Sequence, residues 1–340
     1  MHSFLGSPFW TPFKKLFFKP TPGCKHVFDD LSVKLVQEIC PLGVDQAKWK
    51  PKLSWDDIET TQSKIDSLKL EEDLPRIKLS PKDFHSLLKG SANSEVSSRD
   101  RLQPPAQDTD IVLLDVRNYY ESALGNFEGA VCPPIRNFKS LPNYLRKNLS
   151  LFSKKTLVTY CTGGIRCEKA TAYIRDFIQP ELQSKPDLEP INAVYMLEGG
   201  IHNYLEWFQA SKSPEEECLF QGRNYIFDAR QSTSLSDYSI HSTPTPEKQA
   251  SKSCITKCGF CSAPAAHLYK CTSQHCHKLI VRCAPLNAQD APVKPSNCYL
   301  SLPSCCLDCL NSVKTKTKKV GLCECELKRV QALETVQASS

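Results

Sequence analysis

Apolar residues in this chain fall into short runs separated by polar or glycine-containing turns. Ile111–Leu114 and Leu157–Tyr160 are nearly continuous apolar runs, and Ala193–Leu197 and the shorter Ala130–Cys132 repeat the pattern. Such runs suit strands covered on both faces. Between them lie helical spacings. One runs to Leu88 behind Ser80 and Pro81, one spans Tyr119–Leu124 and stops at Gly125, and others cover Phe138–Leu149, Glu168–Ile178 and Gly200–Phe208. Ser at the cap with Pro at the first helical position is a helix-start signal. Strands alternating with helices predict an α/β domain with a doubly wound parallel sheet and functional loops at the strand C-termini.

The pattern fades outside residues 76–212. Val33–Leu42 alternates like a strand, and residues 45–75 read as a charged linker with one weak helix at Trp55–Leu68. Residues 90–109 have the composition of a polar loop. Residues 213–253 read as an extension and a linker, the latter rich in Ser, Thr, Pro and Lys from 231 onward. A Cys-rich module is expected over 254–326, and a disordered tail over 327–340.

With 340 residues the chain has room for two or three domains. The formal net charge of +6 permits an anionic partner such as RNA without requiring one. No apolar run approaches the ~20 residues of a membrane span, so no membrane partner is expected. The opening MHSFLGSPFWTPFKKLFF lacks the charged end and apolar block of a secretory signal. A cytoplasmic location is the expectation, with an organelle left open. Twelve of the eighteen cysteines lie at or beyond Cys254. In a chain without a visible signal, that clustering points to metal ligation before disulfides.

The chemistry concentrates in TLVTYCTGGIRCEKA, residues 156–170. A strand, a tight loop and a helix are expected, with Gly163 and Gly164 letting the loop curl. Amide groups turned inward at a helix start stabilise an anion, and a thiol held there loses its proton. Cys161 is therefore the candidate nucleophile, within a loop of Thr162, Gly163, Gly164 and Ile165 that Arg166 closes with a forked cationic donor for a substrate oxyanion. Four residues separate Cys161 from Arg166, one fewer than in cysteine phosphatases. The smaller cup suits a single sulfur carried on the cysteine rather than a phosphate. Cys167 either resolves an oxidised or persulfidated Cys161 or packs beneath the loop. Asp115, Arg117 and Glu121 cluster just past the buried strand, and a structural salt bridge is favoured over an orienting role for the active-site loops. Gly199 and Gly200 are expected to turn a strand abruptly into a helix, and His202 to be solvated.

The C-x-x-G-x-R pattern resembles the rhodanese active-site loop, whose cysteine carries a persulfide. DVRNYYESALGNFEGA, YCTGGIRCEKA, LEGGIHNYLE and RNYIFDAR are together similar to the rhodanese domain of the bacterial tRNA uridine 5-hydroxylase family and to an animal relative of it. The resemblance implies a rhodanese-type sulfurtransferase that takes sulfur from thiosulfate or a persulfide. Its alternative is oxygen-dependent hydroxylation of a tRNA wobble uridine with the same cysteine essential. A non-catalytic, redox-sensing zinc scaffold that binds a protein partner through the Cys-rich module is a third reading. The family begins with a ferredoxin-like domain, of which residues 1–44 are read as a remnant.

Beyond Cys254, thiols two to four residues apart suit tetrahedral zinc. The candidate ligands are Cys258, Cys261, Cys271, Cys276, Cys283, Cys305, Cys306 and Cys309. One four-cysteine site is expected to pair Cys258 and Cys261 with a later cysteine pair. The similar proteins carry a further cysteine where this chain has Leu286, so Cys298 or the His275/His277 pair is a candidate replacement. Zinc is the expected cofactor, with no organic cofactor. The basic run Lys314–Lys319 reads as solvated surface.

Overall fold

A computed structural model describes residues 78–90, 111–211, 217–227, 231–238, most of 257–283, 303–315 and 322–334, together with Glu38, residues 40–44 and Trp49. The weak helix expected at Trp55–Leu68, all but the first residue of the loop at 90–109 and most of the Val33–Leu42 strand lie outside these residues, as do His275, His277, Leu286 and Cys298.

The central element is a four-stranded parallel sheet. In chain order it begins with β1 (Lys78–Leu79) and α1 (Pro81–Leu88), whose Ser80 cap accepts from the Asp83 amide at 3.2 Å. β2 (Ile111–Asp115), α2 (Tyr119–Ser122), β3 (Gly125–Phe127), α3 (Leu141–Lys147) and α4 (Leu149–Phe152) follow. Next come β4 (Thr156–Tyr160), α5 (Ile165–Tyr173), α6 (Gln179–Gln183), β5 (Ala193–Leu197) and α7 (Gly200–Ser211). The order across the sheet is β1-β5-β4-β2, with every pairing parallel. The expected strand at Ala130–Cys132 is reduced to one parallel bridge, Val131 to Leu114. The helix expected over Glu168–Ile178 starts three residues earlier, and a wide turn at Ile174–Ile178 joins it to α6.

Successive strand residues face opposite layers. Val112, Leu114, Leu157 and Met196 point to a core with Leu141, Leu145, Phe152, Ile174 and Ile178. Leu113, Val158, Tyr160 and Leu197 point to a second core with Phe84, Phe127, Tyr204 and Phe220. Both faces are dry, so the runs read as apolar rather than alternating. Trp49, within the expected linker, packs edge-on against Tyr173 and Phe177 and donates to Asp176 at 2.9 Å.

Several short strands were not legible. Gly125, expected to stop a helix, opens β3, which pairs antiparallel with β6 (Phe220–Gly222). β7 (Asn224–Tyr225) pairs with β8 (Ser232–Thr233) inside the expected linker. The buried Ser232, Thr233 and Ser234 explain the order there: a polar composition mimics a linker when its hydroxyls are enclosed. The C-terminal module holds the hairpin β9 (His267–Lys270) and β10 (Leu279–Arg282), then α8 (Leu307–Thr315) and α9 (Glu324–Glu334). α9 corrects the expected disordered tail over residues 327–334. It is polar in sequence, but Glu326 pairs with Arg136 and Arg329, Arg329 donates to the Pro134 carbonyl at 2.8 Å, and Leu333 packs on the first core.

Phe127 is fully buried and meets Phe84, Tyr160, Tyr204 and Phe220 edge-on at ring distances of 4.9–5.3 Å. Phe127→Ala should cost about 3–5 kcal/mol of folding free energy, read from urea denaturation, whereas Phe227→Ala on the surface should cost less than about 0.5 kcal/mol.

Candidate active site and cysteine centres

β4 ends at Tyr160 and α5 begins at Ile165, leaving Cys161 to Gly164 as the loop at the sheet's C-terminal edge. Gly164 has φ +92°, a conformation that L side chains rarely adopt. The loop rests on the start of α7. The Ile201 amide donates to the Cys161 carbonyl at 2.9 Å and the His202 amide to the Thr162 carbonyl at 3.1 Å. A Cβ on Gly200 would come within 2.4 Å of that Cys161 carbonyl and 2.8 Å of the Gly163 and Gly164 nitrogens. Gly200 therefore does more than turn the chain: its missing side chain is the space the loop occupies.

Cys161 is 1% exposed, and the Gly164 amide donates to its Sγ at 3.1 Å. Burial alone pushes the thiol's pKa up. The Cys167 thiol hydrogen bond, the Arg166 charge and the Cys167 and Gly164 amides outweigh burial and bring it down to about 6. At neutral pH that shift favours the thiolate. Cys167 has the opposite fate: burial and the neighbouring Cys161 charge hold it well above the ordinary thiol value. It packs beneath the loop as a protonated donor to Cys161.

Arg166 departs from the expected oxyanion clamp. Its Nη1 and Nη2 donate to the two Glu121 carboxylate oxygens at 2.6 and 2.7 Å, and Nη2 also reaches Thr162 Oγ1 at 3.1 Å. The fork is filled from within the protein, so its charge reaches Cys161 through space. Glu121 is fully buried and its Oε2 also accepts from the Asn118 amide, closing a capping box on α2. The expected Asp115–Arg117–Glu121 cluster resolves into two separate pairs. Arg117 Nη2 donates to Asp115 at 2.6 Å and to the Gly125 carbonyl at 2.6 Å, with both partners of the pair fully buried. That pair ties the end of β2 to β3 and stands apart from the loop's own ion pair. His202 is half-buried rather than solvated, with Nδ1 3.0 Å from the Tyr238 hydroxyl.

The rim of the loop is apolar. Ile165 is 54% and Phe227 66% exposed, and the Arg166 guanidinium lies 5.8 Å from the Phe227 ring centre. Tyr225 meets Phe227 edge-on at 5.0 Å and Tyr120 at 5.5 Å. RNYIFDAR contains the signal for this aromatic rim, although its position beside Arg166 is a tertiary fact.

The later cysteines form two knots. Cys258, Cys261 and Cys283 bring their sulfurs within 4.8 Å of one another. Among the described residues it is Cys283, rather than a later cysteine pair, that lies with Cys258 and Cys261. Cys271, Cys276, Cys305 and Cys309 form a second set within the same limit, and Cys305, Cys306, Cys309 and Cys323 a third. These sets are suited to a metal ion: soft sulfur donors, mostly buried and unbridged by disulfides. Cys323, not among the expected candidates, joins the third set; its distance in sequence hides its place in the fold. The second knot and its hairpin touch the parallel-sheet domain through the Arg136 Nη2 bond to the Cys276 carbonyl at 2.9 Å and the Tyr119 hydroxyl bond to the Leu279 carbonyl at 3.1 Å.

Among the described residues no helix is long and apolar enough to cross a membrane. The rhodanese-like domain family matches residues 98–206, and the rhodanase C-terminal family matches residues 221–310. A tRNA uridine(34) hydroxylase of Legionella pneumophila (strain Corby) is 33% identical over 218 residues, covering 64% of this chain and 63% of the relative. The proteins of the same name from Enterococcus faecalis and Onion yellows phytoplasma are 33% and 35% identical, covering 68% and 52% of this chain and 61% and 47% of their own lengths. The chain spans less than two thirds of each of these relatives. With its Cys161 loop at the C-terminal edge of a parallel sheet, followed by a cysteine-rich C-terminal region, the chain carries a rhodanese-like domain and is similar to the bacterial tRNA uridine(34) hydroxylases.

Proposed function

We propose that this protein is a tRNA-modifying enzyme that hydroxylates a wobble uridine, with Cys161 as its thiolate. The observation that carries the proposal is the ionised, amide-held sulfur of Cys161 in a chain whose relatives bear that name. The chemistry suits a thiolate. Adding to C6 of uracil, it shifts electron density to C5. C5 accepts an oxygen atom from dioxygen, its hydrogen leaves as a proton, and the thiolate departs. Two electrons and two protons from an external reductant carry the second oxygen atom to water. Arg166, fixed by Glu121, supplies the positive potential that keeps the sulfur charged between turnovers. Phe227, exposed beside Arg166, offers an unpaired base a stacking surface, the usual means by which single-stranded RNA is gripped.

A second reading rests on the tightness of the loop. A nearly enclosed sulfur in a small cup also suits a rhodanese-type transfer, in which Cys161 takes the outer sulfur of thiosulfate or a persulfide and passes it to a nucleophile. In either reading zinc in the cysteine knots is a structural cofactor, holding the C-terminal module against the catalytic domain. A protein partner bound through that module remains part of the proposal only for the scaffold reading, which has no use for an ionised Cys161.

Cells that lack the protein, or carry Cys161→Ser, should lose 5-oxyuridine derivatives from their tRNA nucleosides on mass spectrometry; an unchanged profile would refute the hydroxylase reading. Thiocyanate release from thiosulfate and cyanide that depends on Cys161 would favour sulfur transfer instead. Alkylation of Cys161 by a small haloacetamide, followed by peptide mapping, should show a midpoint near pH 6 rather than the ordinary ~8.5, and Arg166→Gln should move it upward. Because the folded value lies below the unfolded one, the ionised thiol's stabilisation is full above the ordinary thiol range and lost as pH falls through about 6. Denaturation midpoints of wild type relative to Cys161→Ala should therefore rise between pH 5.5 and pH 9, as a direction rather than a fixed amount.

A further inference from the structure

The second and third cysteine sets are not alternatives. They share Cys305 and Cys309, and between them they contain six sulfurs: Cys271, Cys276, Cys305, Cys306, Cys309 and Cys323. We propose that these six thiolates form one dinuclear site for two zinc-class dications, with Cys305 and Cys309 bridging the ions.

The distances fit. A zinc–sulfur bond of about 2.3 Å sets the edge of a sulfur tetrahedron at about 3.8 Å. Cys305 Sγ lies 3.5 Å from Cys276, 3.5 Å from Cys309, 3.5 Å from Cys323 and 3.8 Å from Cys306, so it neighbours donors of both ions; Cys276 and Cys323, one on each ion, lie 3.7 Å apart, so the two tetrahedra would fold toward each other about the shared edge. All are too long for disulfides, and every cysteine of the knot is unbridged. One tetrahedral ion uses four sulfurs and strands two more at coordination distance from the rest. Two tetrahedra joined along an edge use six, and the shared edge is the pair common to both sets. A thiolate keeps lone pairs for a second cation, so bridging needs no additional donor.

The fold supplies the sulfurs from three directions. Cys305, Cys306 and Cys309 come from the start of α8, Cys271 and Cys276 from the turn between β9 and β10, and Cys323 from the residue before α9. Cys323 lies beyond residue 310, where the family match ends. Cys325 stands outside both sets, with its Sγ 2.8 Å from the Cys305 carbonyl. Six thiolates and two dications leave a net negative charge. Arg136 and Lys278 border the knot, donating to the carbonyls of Cys276 and Cys325 at 2.9 and 3.2 Å, and compensate it.

The proposal rests on the zinc assignment above but not on the tRNA reading. Native mass spectrometry of the full chain loaded with zinc should find one ion fewer in Cys323→Ser than in wild type, and an unchanged count in Cys325→Ser. Cobalt loaded into the wild-type chain gives a readout that needs no variant. Bridging thiolates should couple the two ions antiferromagnetically and lower the magnetic moment per cobalt below that of an isolated tetrahedral site, and Cys258→Ser should leave that coupling intact. Equal zinc counts in wild type and Cys323→Ser, or uncoupled cobalt in wild type, would overturn the dinuclear site while leaving a single-ion zinc site standing. A chain that binds no zinc would overturn both.

Discussion

A sulfur held toward its charged form with almost no contact with water is the constraint around which the parallel-sheet domain is arranged. Desolvation opposes the thiolate, and only donors already in place can reverse that sign. Each has a structural source. The Gly164 amide points inward because the residue adopts a positive φ. The Cys167 thiol lies beneath because α5 begins at once after the loop. The Arg166 charge stays near because Glu121 grips both ends of its fork. Glu121 is in turn held by the cap of a four-residue helix. The loop is preorganised by groups that themselves have no freedom to relax, which is how a buried anion is kept.

The central sheet and the Cys161 loop were legible in the sequence because their signals are local. Leu157–Tyr160 and Ile111–Leu114 are apolar because both faces of the sheet are covered, and the glycines of the loop mark a turn wherever they occur. The role of Arg166 was not legible. From sequence a free guanidinium and an occupied one look alike, and its partner Glu121 is distant along the chain. Gly200 reads as a turn residue, and its second task, leaving space for the Cys161 carbonyl, exists only once α7 is packed beneath the loop. β3, β6, β7 and β8 escaped notice because strands of two or three residues carry too few positions to show a period.

The C-terminal region makes the same point about polarity. Residues 327–334 have the composition of a solvated tail, yet they form a helix whose acidic and basic side chains reach Arg136 and the Pro134 carbonyl. Cysteines scattered over more than fifty residues converge on one knot. Such a module has little apolar area of its own. The clustered sulfurs occupy the place that a hydrophobic core takes elsewhere, so, on the proposed zinc assignment, folding and metal capture would be one event.

α2 joins these two regions. Tyr119 reaches the Leu279 carbonyl of the cysteine-rich hairpin, and two residues later Glu121 holds Arg166. A single turn of helix is too short to bend between those contacts. A displacement of the hairpin at Leu279 is therefore transmitted through Tyr119 and Glu121 to Arg166, so the cysteine-rich module and the Cys161 loop are mechanically continuous.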